Sequence, residues 1–356
     1  MAVHGRFDDV FKDRTILVTG HTGFKGSWLS IWLSELGAKV IGYALDPRTE
    51  RDNFVVTGLS DRMVDIRGDI RDFPKLLSVF QQYQPEFIFH LAAQPLVRRS
   101  YVEPRETYEV NVMGTVNVLE AIRQTDSVRT AINITSDKCY ENKEWVWGYR
   151  ESDPLGGSDP YSSSKGCAEL VNSAYTRSYF NKTSQTGRVV GLASVRAGNV
   201  IGGGDWAEDR LVPDCIRALE EGKEIQVRNP EAVRPWQHVL EPLGGYLLLA
   251  SKLDQEPSTF SGPWNFGPDG SQIVKVGQLV KRIVDHWGQG SWRDVSKPDE
   301  PHESKLLSLD IAKAKHQLGW APELSIERAI EMTVEWYRVD ARSYAYNVGQ
   351  IEEYLA

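Results

Sequence analysis

TILVTGHTGFKGSWLSIWLSELGAKVIGY, residues 15–43, decides the fold. Its opening is a short, β-branched apolar run that ends at Gly20, the signature of a buried strand. Trp28, Leu29, Trp32, Leu33 and Leu36 then recur at helical spacing, Gly37 closes the helix, and Ala38–Tyr43 reads as a second strand. Between first strand and helix lie Gly20, His21, Thr22, Gly23, Phe24, Lys25 and Gly26. A glycine loop in that setting makes the turn and lets backbone N–H groups approach a pyrophosphate at the helix N-terminus. These seven residues are therefore expected to line a dinucleotide site. The spacing is TGxxGxxG rather than GxGxxG, and Lys25 stands where an apolar residue is usual. Lys25 and His21 either help hold anionic groups or are a solvated lysine and a hydrogen-bonded loop histidine.

The alternation continues outward. Met63–Ile66 reads as a third strand, Phe73–Tyr83 as a helix, and Glu86–Ala93 as a fourth strand ending in Leu91, Ala92 and Ala93, which suit close passage of a cofactor. Asp69 either accepts from an adenine amino group, with Ile70 packed on the ring, or forms a turn. Asp46 sits about where an acid holds the ribose 2′-hydroxyl, while Arg48, two residues on, would welcome a phosphate. Tyr108–Arg123 predicts one long helix, in which Asn111 is either a support of the active site or a helix-surface amide. Strands alternating with helices of this length imply βαβ units, so the fold class is α/β, a Rossmann-type doubly wound parallel sheet. Beyond about residue 200 the pattern changes to glycine loops, a helix over Leu211–Glu221, the segment Ile225–Pro230, a return to the sheet at Trp264–Gly267, and helices near Val276–Trp287 and Ile326–Asp340. The expected organisation is a dinucleotide-binding domain of residues 1–198 plus about 235–268. Residues 199–234 and 269–356 form an interleaved substrate lobe.

Chemistry concentrates between Ile132 and Lys165. INITSDKCY reads as a buried strand opening into Ser136, Asp137 and Lys138, and YSSSK puts Tyr161 and Lys165 four residues apart on one helix face. A free tyrosine titrates near 10, so service as a base at neutral pH requires a drop of about 3 units, or roughly 4 kcal/mol. The Lys165 cation and the positive ring of an oxidised nicotinamide both favour phenolate.

Composition narrows the rest. With 356 residues, 41% hydrophobic and 25% charged, the chain has room for a sizeable core and about two domains. A net charge of −8 without a Lys/Arg block argues against nucleic acid. Cys139, Cys167 and Cys215 are odd in number and lack CxxC spacing, so neither a disulfide frame nor a metal is expected, and a reducing cytoplasm is. The N-terminus lacks an apolar leader and the apolar runs are too short to span a bilayer.

TGHTGFKGSWL, HLAAQPLVRRSY, NVMGT, ITSDKCYEN, GYRESDPLGGSDPYSSSK, RAGNVIGGGDW, VRPWQHV and LGWAP together resemble the extended short-chain dehydrogenase/reductase family over residues 14–335. GHTGFKGSW with ITSDKCYENKEW is similar to its CDP-glucose 4,6-dehydratase branch. The resemblance implies a lyase that uses bound NAD, regenerated each turn, to make CDP-4-keto-6-deoxyglucose for deoxysugars of the O-antigen type. It implies Tyr161 as base, Lys165 as its partner, Ser136 bonded to the sugar O4, and Asp137 as the acid at the departing O6. Where most dehydratases carry a glutamate base this chain has Lys138, either the C5 base or an electrostatic stabiliser of the enolate. Arg234 matches the residue that grips the substrate diphosphate. Asn199, Arg210 and Arg228 fall on segments near it, Asn199 and Arg210 being either sugar-diphosphate ligands or a cap and a surface charge. A homodimer, or a tetramer, is implied through the helices carrying Asn111 and Tyr161. A 4-epimerase would share Tyr161, Lys165 and Ser136 but lacks the adjacent acid–base pair. Another nucleotide sugar is the nearer alternative, and a non-catalytic dinucleotide sensor the more distant one.

Overall fold

The computed structural model describes residues 7, 9–181, 188–270, 274–296, 306–340 and 342–356; most of the N-terminal segment read above as lacking a leader lies outside them. Seven parallel strands form one sheet: β1 (Thr15–Thr19), β2 (Lys39–Ala44), β3 (Val64–Arg67), β4 (Phe87–His90), β5 (Thr130–Ile134), β6 (Gly191–Ala197) and β7 (Gly262–Phe266). Their order is β7-β6-β5-β4-β1-β2-β3. The direction of winding reverses between β1 and β4, so a crevice opens beyond the C-terminal ends of those strands.

Side-chain alternation sends Ile16 and Val18 to one face of β1 and Leu17 to the other, and each face has its own core. On the first, α1 (Phe24–Glu35) buries Trp28 and Trp32. On the second, α2 (Phe73–Tyr83) and α3 (Gly114–Arg123) bury Leu76, Phe80, Val118 and Ile122. Cover on both faces is why the strands read as unbroken apolar runs.

Two helices depart from the sequence reading. The expected Tyr108–Arg123 helix is a short helix over Pro104–Tyr108, a wide π-type turn over Glu109–Met113, and α3. The extra residue of that turn rolls Asn111 inward, to 2% exposure. A last helix, Tyr344–Leu355, was not foreseen; it lies on α1, with Tyr354 edge-on to Trp32 at 5.7 Å and the Tyr344 hydroxyl donating to Glu35 Oε1 at 2.7 Å. The end of the 269–356 segment thus packs on the dinucleotide domain.

The lobe is fastened at the same helix. Trp28 Nε1 donates to the Gly203 carbonyl at 2.9 Å, and a Cβ on Gly203 would lie 1.9 Å from the Trp336 ring. Behind the crevice, α4 (Pro160–Tyr179) places Glu169 against Arg196 of β6 at 2.8 Å, both fully buried. Glu169 also accepts from Thr135 and Ser194, and Arg196 donates to the Tyr140 hydroxyl at 2.7 Å. Removing one side of a buried pair strands the other charge. Glu169→Leu is expected to lower unfolding free energy by about 3–5 kcal/mol in denaturant titration; a loss under about 1 kcal/mol would contradict this role for the pair.

Candidate active site

The glycine loop leaves β1 at Gly20, whose φ of +75° and whose would-be Cβ 2.8 Å from the Ala92 amide nitrogen both demand glycine. A Cβ on Gly26 would sit 2.1 Å from the Gly20 carbonyl oxygen, so α1 can reach the sheet only with glycine there. Gly23 precedes α1 without any side-chain cap, and no acid occupies the first turn. The first amides of α1 are left to an anion.

The loop's two polar side chains part company. His21 is fully buried, with Nε2 bonded to Asp65 Oδ1 at 2.8 Å, and burial pushes its pKa below the ordinary histidine value. It braces the loop against β3 and does not reach for phosphate. Lys25 has its pKa pushed down to about 7, by burial first and then by Arg210. Asp137, Lys165 and Asp205 are its other charged neighbours, so it faces the catalytic residues and is not a solvated surface lysine.

On the adenosine side, Asp46 stands at 86% side-chain exposure, 3.6 Å from Arg67. Arg71 grips the Asp69 carboxylate at 2.6 Å, so the acceptor expected for adenine is already engaged by a neighbour. Ile70 is buried in the second core, where its Cγ2 lies 2.7 Å from where a Cβ on Gly114 would be. It packs on protein rather than lying bare for a ring. Leu91 and Ala92 follow β4, their amides bonded to the Thr19 carbonyl and hydroxyl; Ala93 follows directly.

β5 delivers the catalytic segment. Ser136 is extended, donates to Asp137 Oδ1 at 3.0 Å and accepts from the Lys138 amide at 3.2 Å. Asp137 is 1% exposed, and its Oδ2 has no partner among the described residues. Lys138 Nζ lies 3.6 Å from the same carboxylate. Stacked rings fix the backbone just beyond, Tyr140 on Tyr149 at 5.2 Å and Tyr149 on Trp145 at 5.5 Å.

Across the crevice, the start of α4 is pinned by Asp159, which accepts from the Ser162 amide at 2.9 Å, by Pro160 in the first turn, and by Ser100, which accepts from the Tyr161 amide at 3.2 Å. Tyr161 therefore enters the site in the first turn and Lys165 one turn later. Burial pushes the Tyr161 phenol up to about 12; the Ser136 hydrogen bond and Arg210 pull it down, and Asp137 pushes it further up. Expected from the Tyr161–Lys165 spacing was a lowered phenol. The protein alone does the opposite, because burial of the phenol outweighs the groups that favour phenolate; Lys165 Nζ donates to the Ile134 carbonyl at 3.3 Å and is itself held down, to about 8, by burial.

Asn111 proves to be a brace: Oδ1 accepts from the Gln94 amide at 2.8 Å, and Nδ2 donates to the Gln94 carbonyl and to Ser164 Oγ at 2.8 Å. It ties the loop after β4 to the catalytic helix. From the lobe, Arg210 reaches in, held by Asp205 at 2.8 Å and with Tyr161 among its charged neighbours. Arg228 lies 3.6 Å from Asp209, and the same Asp209 oxygen lies 3.4 Å from Arg98, a residue that no motif in the sequence marks. Arg234 forms a two-residue strand with Val233 and donates to its carbonyl at 2.9 Å. Asn199 accepts from the Gln237 amide through its carbonyl, and its side-chain Oδ1 is buried without a partner among the described residues. Among those residues no group of three His, Cys, Asp or Glu is arranged to hold a metal.

The sequence model of the family described as GDP-mannose 4,6 dehydratase matches residues 17–333. The chain belongs to that family. It is 52% identical over 328 residues to a CDP-glucose 4,6-dehydratase of Salmonella typhimurium, covering 92% of this chain and 91% of the relative. A dTDP-glucose 4,6-dehydratase of Xanthomonas campestris is 26% identical, with 91% and 93% covered. In structure, a UDP-glucose 4-epimerase of Thermotoga maritima with UDP-glucose superposes at a TM-score of 0.75 and 25% identity, covering 91% and 98%. A dTDP-glucose 4,6-dehydratase of Bacillus anthracis in complex with NAD has the same fold, at a TM-score of 0.75, 21% identity and coverage of 94% and 99%.

Proposed function

We propose that this protein is a CDP-glucose 4,6-dehydratase, converting CDP-glucose to CDP-4-keto-6-deoxyglucose and water. The 52% identity to an enzyme of that name, sustained over nine-tenths of both chains, carries the reading. The glycine loop fits NAD as a cradle, since Gly20 and Gly26 let it pack tightly between β1 and α1 while no side chain caps the first amides of that helix. Gly20, Thr22, Gly23, Phe24 and Gly26 line that cradle, Asp46 meets the adenosine ribose, and Leu91 to Ala93 flank the other side. Held there, NAD would supply the acceptor for the hydride of C4 and the donor of the hydride at C6.

The side chains move the protons. Tyr161, as phenolate, accepts the proton of the 4-hydroxyl, and Ser136 orients that oxygen. Lys165 holds the site's positive charge one helical turn away. Oxidation at C4 acidifies C5–H, and Lys138, as free amine, takes that proton. Asp137 gives its proton to O6, which departs as water, and a proton returns to C5 as C6 is reduced. Arg234, with Asn199, Arg210 and Arg228, holds the diphosphate, for which a planar fork is suited.

The wider reading is of a homodimer, or a tetramer, working in the cytoplasm in deoxysugar building of the O-antigen type. Tyr101, Val102, Tyr108, Met113 and Leu170, exposed on the helices around Asn111 and on α4, support an interface there. Among the described residues no helix is long and apolar enough to cross a membrane. A panel of CDP-, dTDP-, UDP- and GDP-glucose tests the base preference. Loss of water from CDP-glucose at least about tenfold faster than from the others is expected, and preference for another base would reassign the substrate.

A further inference from the structure

We propose that Asp65 sets the cofactor's adenosine specificity by occupying Arg67, so that Asp46 and not a guanidinium meets the ribose. The inference rests on the glycine loop being an NAD site.

Arg67 ends β3, in register with Ala44 of β2 and so two residues short of Asp46. A guanidinium at that spot is what a ribose 2′-phosphate would need, because its planar fork matches phosphate oxygens. Sequence alone leaves the matter open between Asp46 and Arg48, and the pairing of β2 with β3 adds Arg67. Geometry closes it. Arg67 Nη2 lies 2.7 Å from Asp65 Oδ2, Nη1 donates to the Leu45 carbonyl at 3.2 Å, and the guanidinium stands over the Phe54 ring at 4.9 Å. Its Nε is only loosely paired with Asp46, at 3.6 Å.

Those two carboxylates compete unequally for the same cation. Asp65 is 16% exposed and makes a short charge-assisted bond; Asp46 is 86% exposed and longer, a pair that water screens. Asp65 keeps Arg67, and Asp46 is left to accept from the ribose hydroxyls and to repel a 2′-phosphate. Asp65 cannot easily turn away, since its other oxygen is held by His21 Nε2 at 2.8 Å. His21 is locked in turn: its ring packs edge-on to Phe54 at 5.3 Å and under Gly42, where a Cβ would come within 2.4 Å. Burial pushes Asp65 upward, but His21 and Arg67 outweigh it and keep the carboxyl below its usual range. Arg48, the other candidate for a phosphate, has its pKa lowered by burial first and then by Arg210 and Arg99, with Asp52 and Asp205 opposing them. His21, Asp65 and Arg67 are positioning residues that act through Asp46.

Calorimetric titration of cofactor-stripped protein with NAD and with NADP tests this apart from activity. The unaltered protein is expected to bind NAD at least about tenfold more tightly than NADP. Asp65→Asn, which frees the cation, should narrow that ratio by about tenfold, chiefly by tightening NADP. Adding Arg67→Gln to Asp65→Asn should restore the original ratio, because the released guanidinium is gone. An unchanged ratio in Asp65→Asn with NAD still bound, or a double variant that stays narrowed, would overturn the role of Asp65. An unaltered protein that binds neither nucleotide would instead remove the NAD site itself, and the proposal with it.

Discussion

Tyr161→Phe is expected to lower turnover of CDP-glucose by about a thousandfold or more, the span that a positioned general base supplies, while NAD binding stays within about threefold. The surroundings of the phenol set the cost of making it a base. At a pKa of about 12, reaching phenolate at neutral pH costs about 5 units, roughly 7 kcal/mol. Ser136 and Arg210, which both favour phenolate, are already part of that value, and the positive ring of an oxidised cofactor would lower the cost further. Phenylalanine keeps the ring and its packing but has no oxygen to accept the 4-hydroxyl proton. Since Tyr161 is held by its backbone to Ser100, the helix start should survive the change. Steady-state turnover with CDP-glucose, beside calorimetry with NAD, checks both halves. Turnover within tenfold of the unaltered protein would reject Tyr161 as the base.

Lys138→Met carries the second large effect. Methionine preserves much of the side-chain length and removes the amine, so elimination is expected to fall about a hundredfold or more, with the initial oxidation at C4 changed far less. The separation follows from position. Lys138 lies beside Asp137, 3.6 Å from its carboxylate, on the segment proposed to meet C5 and C6, while Tyr161, proposed to meet O4, starts a separate helix, α4. Exchange of C5–H with deuterated solvent reads the first proton transfer of the elimination, and the absorbance of reduced nicotinamide reads the oxidation. Exchange lost with oxidation retained assigns Lys138 as the C5 base. Equal loss of both would make it an electrostatic stabiliser.

What the sequence discloses, and what it conceals, divides along physical lines. Gly20 and Gly26 are legible because a positive φ at the first and the close approach of the Gly20 carbonyl to the second admit no side chain, a requirement local to seven residues. Tyr161 and Lys165 are legible because four residues on a helix guarantee a shared face. Asn111 is not, since its inward turn depends on a π-type turn that no apolar spacing marks. The phenol's raised pKa is hidden as well: spacing reports that a lysine is near, and only packing reports how deeply the phenol itself is buried. His21 and Asp65 stand 44 positions apart, so their bond exists only once β2 and β3 pair. The final helix, Tyr344–Leu355, hides its packing face among mixed side chains, and its place on α1 rests on Tyr344 and Tyr354.

CDP-glucose bearing deuterium at C4 gives the most direct test, because a hydride taken and given back leaves its label where it lands. Mass spectrometry and nuclear magnetic resonance of the product should find a sugar lighter by one water, a ketone at C4, and the deuterium on the new C6 methyl group. Deuterium returned to C4 of an undehydrated sugar would mark a 4-epimerase and contradict the account, as would label washed into solvent.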